Sequence, residues 1–212
     1  MTERRRGRSR RPARLARRTI LLVTNGEVTE KRYLDELKQR APARELGLAI
    51  TVKVVPGEPP SVLKKLASPR GDTSSFDEVW FVFDEDGHDR RDIYVECARR
   101  SGRRQKWYAI VSRPCFEVWL IAHYEQVRSY SEQAKAQAHL RSLIGRNVPA
   151  KQLPQNFPFE EAVAAVDRSR LPGADEEISV EALPPSPGSG MPHLLRRLGL
   201  ADESMPKSST EQ

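Results

Sequence analysis

Four short apolar runs, each followed by a segment of helical spacing, constrain this chain more than any other feature. The first run is Thr19-Ile20-Leu21-Leu22-Val23-Thr24, closed by Asn25-Gly26. The second spans Ala49 to Val55 and stops at Pro56-Gly57. The third is Glu78 to Phe83, and the fourth is Lys106 to Ser112. Runs of this length, rich in strand formers and bounded by Gly and Pro, read as buried strands. Between them, Thr29 is placed to cap a helix with Tyr33, Leu34 and Leu37 on one face. Pro59-Pro60 suit the start of a helix carrying Val62, Leu63 and Leu66, and a further helix runs from about Arg90 to Arg100. Cys115 to Val127 reads as an apolar, aromatic-rich helix. This alternation predicts an α/β fold with about four mainly parallel strands, flanked by helices and joined by right-handed crossovers. Ligands in such sheets bind beyond the carboxyl ends of the strands. The loops after the four runs are therefore where chemistry is to be sought.

Beyond residue 130 the pattern becomes helical and more polar, with helices expected over Gln133 to Arg146 and Phe159 to Arg168. Residues 171–190 are rich in Pro, Gly, Ser and acids and read as a linker, and Met191 to Leu200 as a short terminal helix. The expected organisation is an Arg-rich disordered tail (1–18), an α/β domain (19–130), a helical C-terminal region (131–200) and a disordered tail (201–212).

The formal charge of +7 belongs to the tail rather than to the fold. Residues 1–18 hold nine arginines and one acid, while the remainder carries 27 basic and 28 acidic residues. Arg4, Arg5, Arg6, Arg8, Arg10 and Arg11 lead this tail and suit contact with a nucleic-acid backbone through counterion release, without reading sequence. A merely solvated tail is the alternative. No apolar run approaches the roughly 20 residues needed to span a bilayer. Cys97 and Cys115 form no CxxC pair, so neither a disulfide framework nor a zinc site is indicated and a cytoplasmic setting is expected.

Three loops carry the candidate chemistry. The third strand runs into Asp84-Glu85-Asp86-Gly87-His88. In extended chain, residues i and i+2 point the same way, so Asp84 and Asp86 could share one hard cation, Mg²⁺ or Mn²⁺, that relieves their mutual repulsion. An acidic solvated turn is the alternative. After the first strand, Asn25-Gly26-Glu27-Val28-Thr29-Glu30 joins a tight turn to a helix start, and Glu27 or Glu30 could add a carboxylate. Glu30 is also placed simply to complement the helix dipole. After the fourth strand, Glu117 falls in the first turn of the apolar helix, either facing the same edge or complementing that helix's dipole. His123 lies more than a turn further in and reads more readily as a core histidine than as a base, and Cys115 as packing rather than a nucleophile.

Taken together these segments resemble the RloB-like family, found near restriction and phage-defence genes. The resemblance rests on Asn25-Gly26-Glu27-Val28-Thr29-Glu30-Lys31-Arg32-Tyr33 against the family's EGxxTExxY, on Asp84-Glu85-Asp86 against its DxD, and on Ser112 to His123 against its SxPCFE segment with the helix and histidine that follow. Pro185 to Leu198 resembles the family's terminal segment weakly, and the match covers most of residues 19–200. The family is similar to Toprim domains, which implies a Toprim-like sheet and metal-dependent phosphodiester chemistry. By resemblance, Asp84 and Asp86 would bind Mg²⁺. The Toprim glutamate precedes the loop glycine, and Asn25 stands there in this chain. An amide is no general base and a weaker metal ligand, so Glu27, Glu30 or Glu117 would have to substitute.

The resemblance implies a Mg²⁺-dependent nuclease acting on RNA or DNA in abortive anti-phage defence. Nucleic acid, and a defence partner encoded nearby, would be its partners, with self-association left open. A non-catalytic binding module on a degenerate Toprim scaffold is the second reading. A phosphotransfer enzyme or nucleotide sensor is a third, which lacks a Walker-type Gly-rich loop.

Overall fold

The computed structural model describes residues 17–145, 147–149, 152–172 and 179–201. Its strands are β1 (Arg18–Thr24), β2 (Leu48–Val54), β3 (Glu78–Asp84), β4 (Lys106–Arg113) and β5 (Gly188–Ser189). Its helices are α1 (Thr29–Arg40), α2 (Pro59–Leu66), α3 (Arg91–Arg100), α4 (Glu117–Ile121), α5 (Gln133–Ile144), α6 (Ala162–Arg168) and α7 (Met191–Arg197). The fold is α/β, as expected. The sheet has five strands rather than about four, in the order β2-β1-β3-β4-β5. The first four are parallel, and β5 pairs antiparallel with the carboxyl end of β4. The arrangement is compatible with a Toprim-like sheet.

Strand order decides where a site can form. From β1 the chain crosses through α1 to β2 on one side, and from β2 through α2 to β3 on the other side of β1. With right-handed crossovers, that reversal puts α1 and α2 on opposite faces. It opens a crevice at the carboxyl ends of β1 and β3, the switch point of the sheet. Thr24 pairs with Val82, so the loop after β1 lies beside the loop that begins at Asp84.

Strands β1, β3 and β4 are buried on both faces, whereas the edge strand β2 leaves Thr51 exposed, and each face of the sheet has its own core. Leu21, Val23, Val79, Phe81 and Phe83 pack with Val62 and Leu66 of α2 and Ile93 and Cys97 of α3. Ile20, Leu22, Trp80 and Val82 pack with α1, α4 and the C-terminal helices, including Leu140, Ala165 and Leu194. The C-terminal helices thus share a core with the parallel sheet. Arg197 of α7 reaches the opposite, amino end of β3, where its guanidinium grips the buried Glu78 carboxylate at 2.8–3.1 Å.

Several expectations are corrected. Arg18, placed in the tail, begins β1 and forms an ion pair with Glu78 at 3.5 Å. Arg4, Arg5, Arg6, Arg8, Arg10 and Arg11, and the 202–212 tail, lie outside the described residues. Thr29 is the first residue of α1 rather than its cap. The helix expected over Cys115–Val127 is only Glu117–Ile121. Val118 to Ala122 are all buried, and an apolar run buried all round carries no helical period from which to read its length. Val127 then bonds through its N–H to the Arg168 carbonyl, which draws the chain away from α4. The segment read as a linker to residue 190 ends in β5, with Pro187, Gly188, Ser189 and Gly190 buried.

Candidate functional site

Asp84 closes β3 on the face that carries Val82 and Trp80, so its side chain rises above the α1/α4 core at the switch point. Part of the residue reaches the surface, yet its Oδ1 is fully enclosed and has no hydrogen-bond partner among the described residues. Burial pushes the Asp84 carboxyl well above the usual carboxylate range. Glu30, Glu117 and Asp86 push it in the same direction, against a hydrogen bond from the Phe116 backbone. Carboxylates following β1, β3 and β4 therefore all act on Asp84 at one edge.

Each of the three neighbours is placed by a different local device. Glu30 lies in the first turn of α1, and its carboxylate rests on Gly26. A methyl group at position 26 would come within 2.2 Å of the Glu30 carboxyl carbon, so only glycine leaves room for it. The Gly26 N–H is in turn held by Thr24 Oγ1 at 2.9 Å. Glu117 opens α4 and accepts from the Cys115 thiol, whose ionisation burial and Glu117 both oppose. Cys115 thus serves as a neutral donor to Glu117.

Asp86 is placed differently from the expectation. The extended chain ends at Asp84: Asp86 has φ 50° and Gly87 φ 71°. Left-handed backbone is tolerated by Asp and favoured by Gly. The turn is held by Glu85 N–H to the Ser112 carbonyl (3.0 Å) and Asp86 N–H to the Pro114 carbonyl (3.2 Å). Glu85, between the two aspartates, pairs with Arg113 at 2.6 Å, and its carbonyl accepts from buried Arg90. Its role is to fasten the turn to β4.

The other candidates stand apart. Glu27 is exposed and does not perturb Asp84; Asn25 is part-buried at the end of β1. His123 is buried, with Nε2 3.0 Å from the Tyr33 hydroxyl and Nδ1 3.1 Å from the Trp119 carbonyl. Burial holds its pKa down at about 4, so it is a neutral core group. Two positioning contacts had no sequence signal. Ser112 Oγ meets Ser189 Oγ at 2.9 Å and docks β5 beside the site, and Tyr33 meets His123. Both join distant segments, which spacing along the chain does not report.

The family model described as RloB-like protein matches residues 20–198. The chain belongs to the RloB-like family. No curated protein and no solved structure matches it. The three motifs of this RloB-like chain meet at the switch point: Gly26 to Glu30, Asp84 to Asp86 and Ser112 to Glu117 all border the carboxyl ends of β1, β3 and β4. Among the described residues, no three His, Cys, Asp or Glu groups stand close enough to form a ready-made metal cage. Mg²⁺ requires none, since it binds through one or two carboxylates and fills its shell with water and phosphate oxygens. The enclosed, unpaired Oδ1 of Asp84 and its acidic neighbours fit such an ion in charge and donor type. Among the described residues, no helix is long and apolar enough to cross a membrane.

Proposed function

We propose that this RloB-like protein is a Mg²⁺- or Mn²⁺-dependent nuclease acting on RNA or DNA in anti-phage defence. One observation carries the reading. Asp84 presents an enclosed carboxylate oxygen without a hydrogen-bond partner among the described residues, beside three further carboxylates, at the switch point of the sheet. A lone buried carboxylate is costly unless paired or bound to a cation.

In this reading Asp84 and Asp86 hold the ion. When bound, a divalent ion supplies charge to the scissile phosphate and acidifies water. Glu30, steadied against Gly26, accepts the proton of the attacking water, and Glu117, held by the Cys115 thiol, orients that water. Glu27 falls outside this set. The Arg-rich tail adds backbone attraction without sequence preference. The test is cleavage of RNA and DNA by purified protein with Mg²⁺ or Mn²⁺. Asp84→Asn should abolish cleavage while leaving the fold intact, and retained cleavage by that variant sinks the proposal.

Asn25 favours a second reading, a binding module without catalysis, because it puts an amide where the family pattern has a glutamate. The discriminating variant is Asn25→Glu. Cleavage gained only by that variant would assign the wild type to the second reading.

A further inference from the structure

The outer edge of the sheet carries a second charged feature. A groove of about 810 Å³ lies between β2 and α2, lined by Lys53, Lys64, Lys65 and Arg70 and, among the described residues, by no acidic side chain. These cations come from three elements: Lys53 from β2, Lys64 and Lys65 from the end of α2, and Arg70 from the 3₁₀ turn Pro69–Gly71. Complementing a helix dipole would account for the two lysines in the last turn. It does not account for Lys53 or Arg70. Lys53 Nζ donates to the Gly71 carbonyl at 3.1 Å, and Lys65 Nζ to the Pro56 carbonyl at 3.2 Å. These ammonium groups are steadied on neutral oxygens, so their positive charge stays available to an anion.

The groove abuts the acidic site. Val55, in its wall, donates its N–H to the carbonyl of Thr24 at 2.9 Å, and Asn25 and Gly26 follow directly. In the order β2-β1-β3, the groove edge stands two strand spacings from β3, about 10 Å. A cluster of carboxylates repels a polyanion, so a strand brought to it needs a cationic hold close by.

We infer that this groove holds the phosphodiester backbone of a nucleic-acid strand whose neighbouring segment lies at the acidic edge. The inference rests on the nucleic-acid reading of that edge and adds the surface that grips the substrate.

The test uses the full chain in EDTA, so that binding is read without cleavage. Fluorescein-labelled single-stranded RNA and DNA oligonucleotides are titrated across a salt series and followed by anisotropy. The variants are Lys64→Glu/Lys65→Glu/Arg70→Glu and the milder Lys64→Gln/Lys65→Gln/Arg70→Gln, which keeps the test open if charge reversal disturbs folding. Each phosphate neutralised on a single strand adds about 0.7 to the salt slope, so removing three cations in the glutamine variant should lower the slope by about 2 and weaken low-salt binding about tenfold. Unchanged affinity and slope would overturn the inference, as would absence of binding by wild type; a groove that takes an acidic protein instead would give the first result. Groove-dependent binding without cleavage under any metal leaves this inference standing and removes the nuclease reading. Cleavage and binding indifferent to the groove variants do the reverse.

Discussion

The Tyr33 hydroxyl and His123 Nε2 meet at 3.0 Å in the core, although 90 residues separate them in sequence. Phe116 and Trp119 stand edge-on to the Tyr33 ring at 5.6 and 6.3 Å, and Phe159 closes it from the C-terminal region at 5.5 Å. With Nδ1–H donating to the Trp119 carbonyl, Nε2 accepts from Tyr33. One hydrogen bond therefore ties α1, which carries Glu30, to the turn that follows α4, which carries Glu117.

Tyr33→Phe should leave the imidazole nitrogen buried and unsatisfied, at a cost of about 1–3 kcal/mol. Urea unfolding checks this. In a double-mutant cycle with His123→Gln, the two losses should be smaller together than their sum.

The pH dependence follows from the same histidine. The folded chain protonates His123 at about 4, against 6.5 for an unperturbed histidine. Between those values the unfolded chain binds a proton that the folded chain does not. Stability should therefore fall as pH drops from about 6.5 to about 4, by roughly 3 kcal/mol for this group when the window is crossed. Unfolding midpoints across that range should slope less in His123→Gln; equal slopes would remove His123 as the cause.

Asp84→Asn should raise stability at neutral pH, because burial and three neighbouring carboxylates hold the Asp84 carboxyl pKa high and so penalise its ionised form. Mg²⁺ should stabilise the wild type instead, by about 2.7 kcal/mol at a hundred times its dissociation constant, and leave the variant unmoved. Thermal melts with and without the ion read both effects.

Gly26→Ala separates site from fold. The added methyl meets only the mobile end of Glu30, at 2.2 Å, so Glu30 swings away and the fold stands. Stability should change by less than about 0.5 kcal/mol. Cleavage should fall about a hundredfold or more, as for loss of a positioned general base, while the Mg²⁺-induced rise in the same melts stays as in the wild type.

Arg197→Ala should cost about 1.5–3 kcal/mol, since it removes the bidentate partner of the Glu78 carboxylate, 4% exposed, and leaves it with the Trp80 N–H at 3.0 Å and the more distant Arg18. Adding Glu78→Gln should recover part of that loss in urea unfolding.

Much of the parallel sheet was legible in the sequence because its signals are local. An apolar run between Gly and Pro marks a strand wherever the strand lies, and Pro59-Pro60 marks the start of α2 on any face. The motif loops were legible for the same reason, since each begins where a run ends. Only the tertiary structure decided which loops meet. Strand order sets β1 beside β3, and no periodicity reports it; that neighbour relation brings Glu30 to Asp84 while Glu27, three residues earlier, stays in solvent. The left-handed turn at Asp86, held by carbonyls of Ser112 and Pro114, replaced the extended geometry that alternation suggested. The brevity of α4, the pairing of β5 with β4 and the Tyr33–His123 bond likewise depend on contacts between distant segments. A sequence displays the preferences of neighbouring residues directly, whereas long-range contacts form only when the whole core closes.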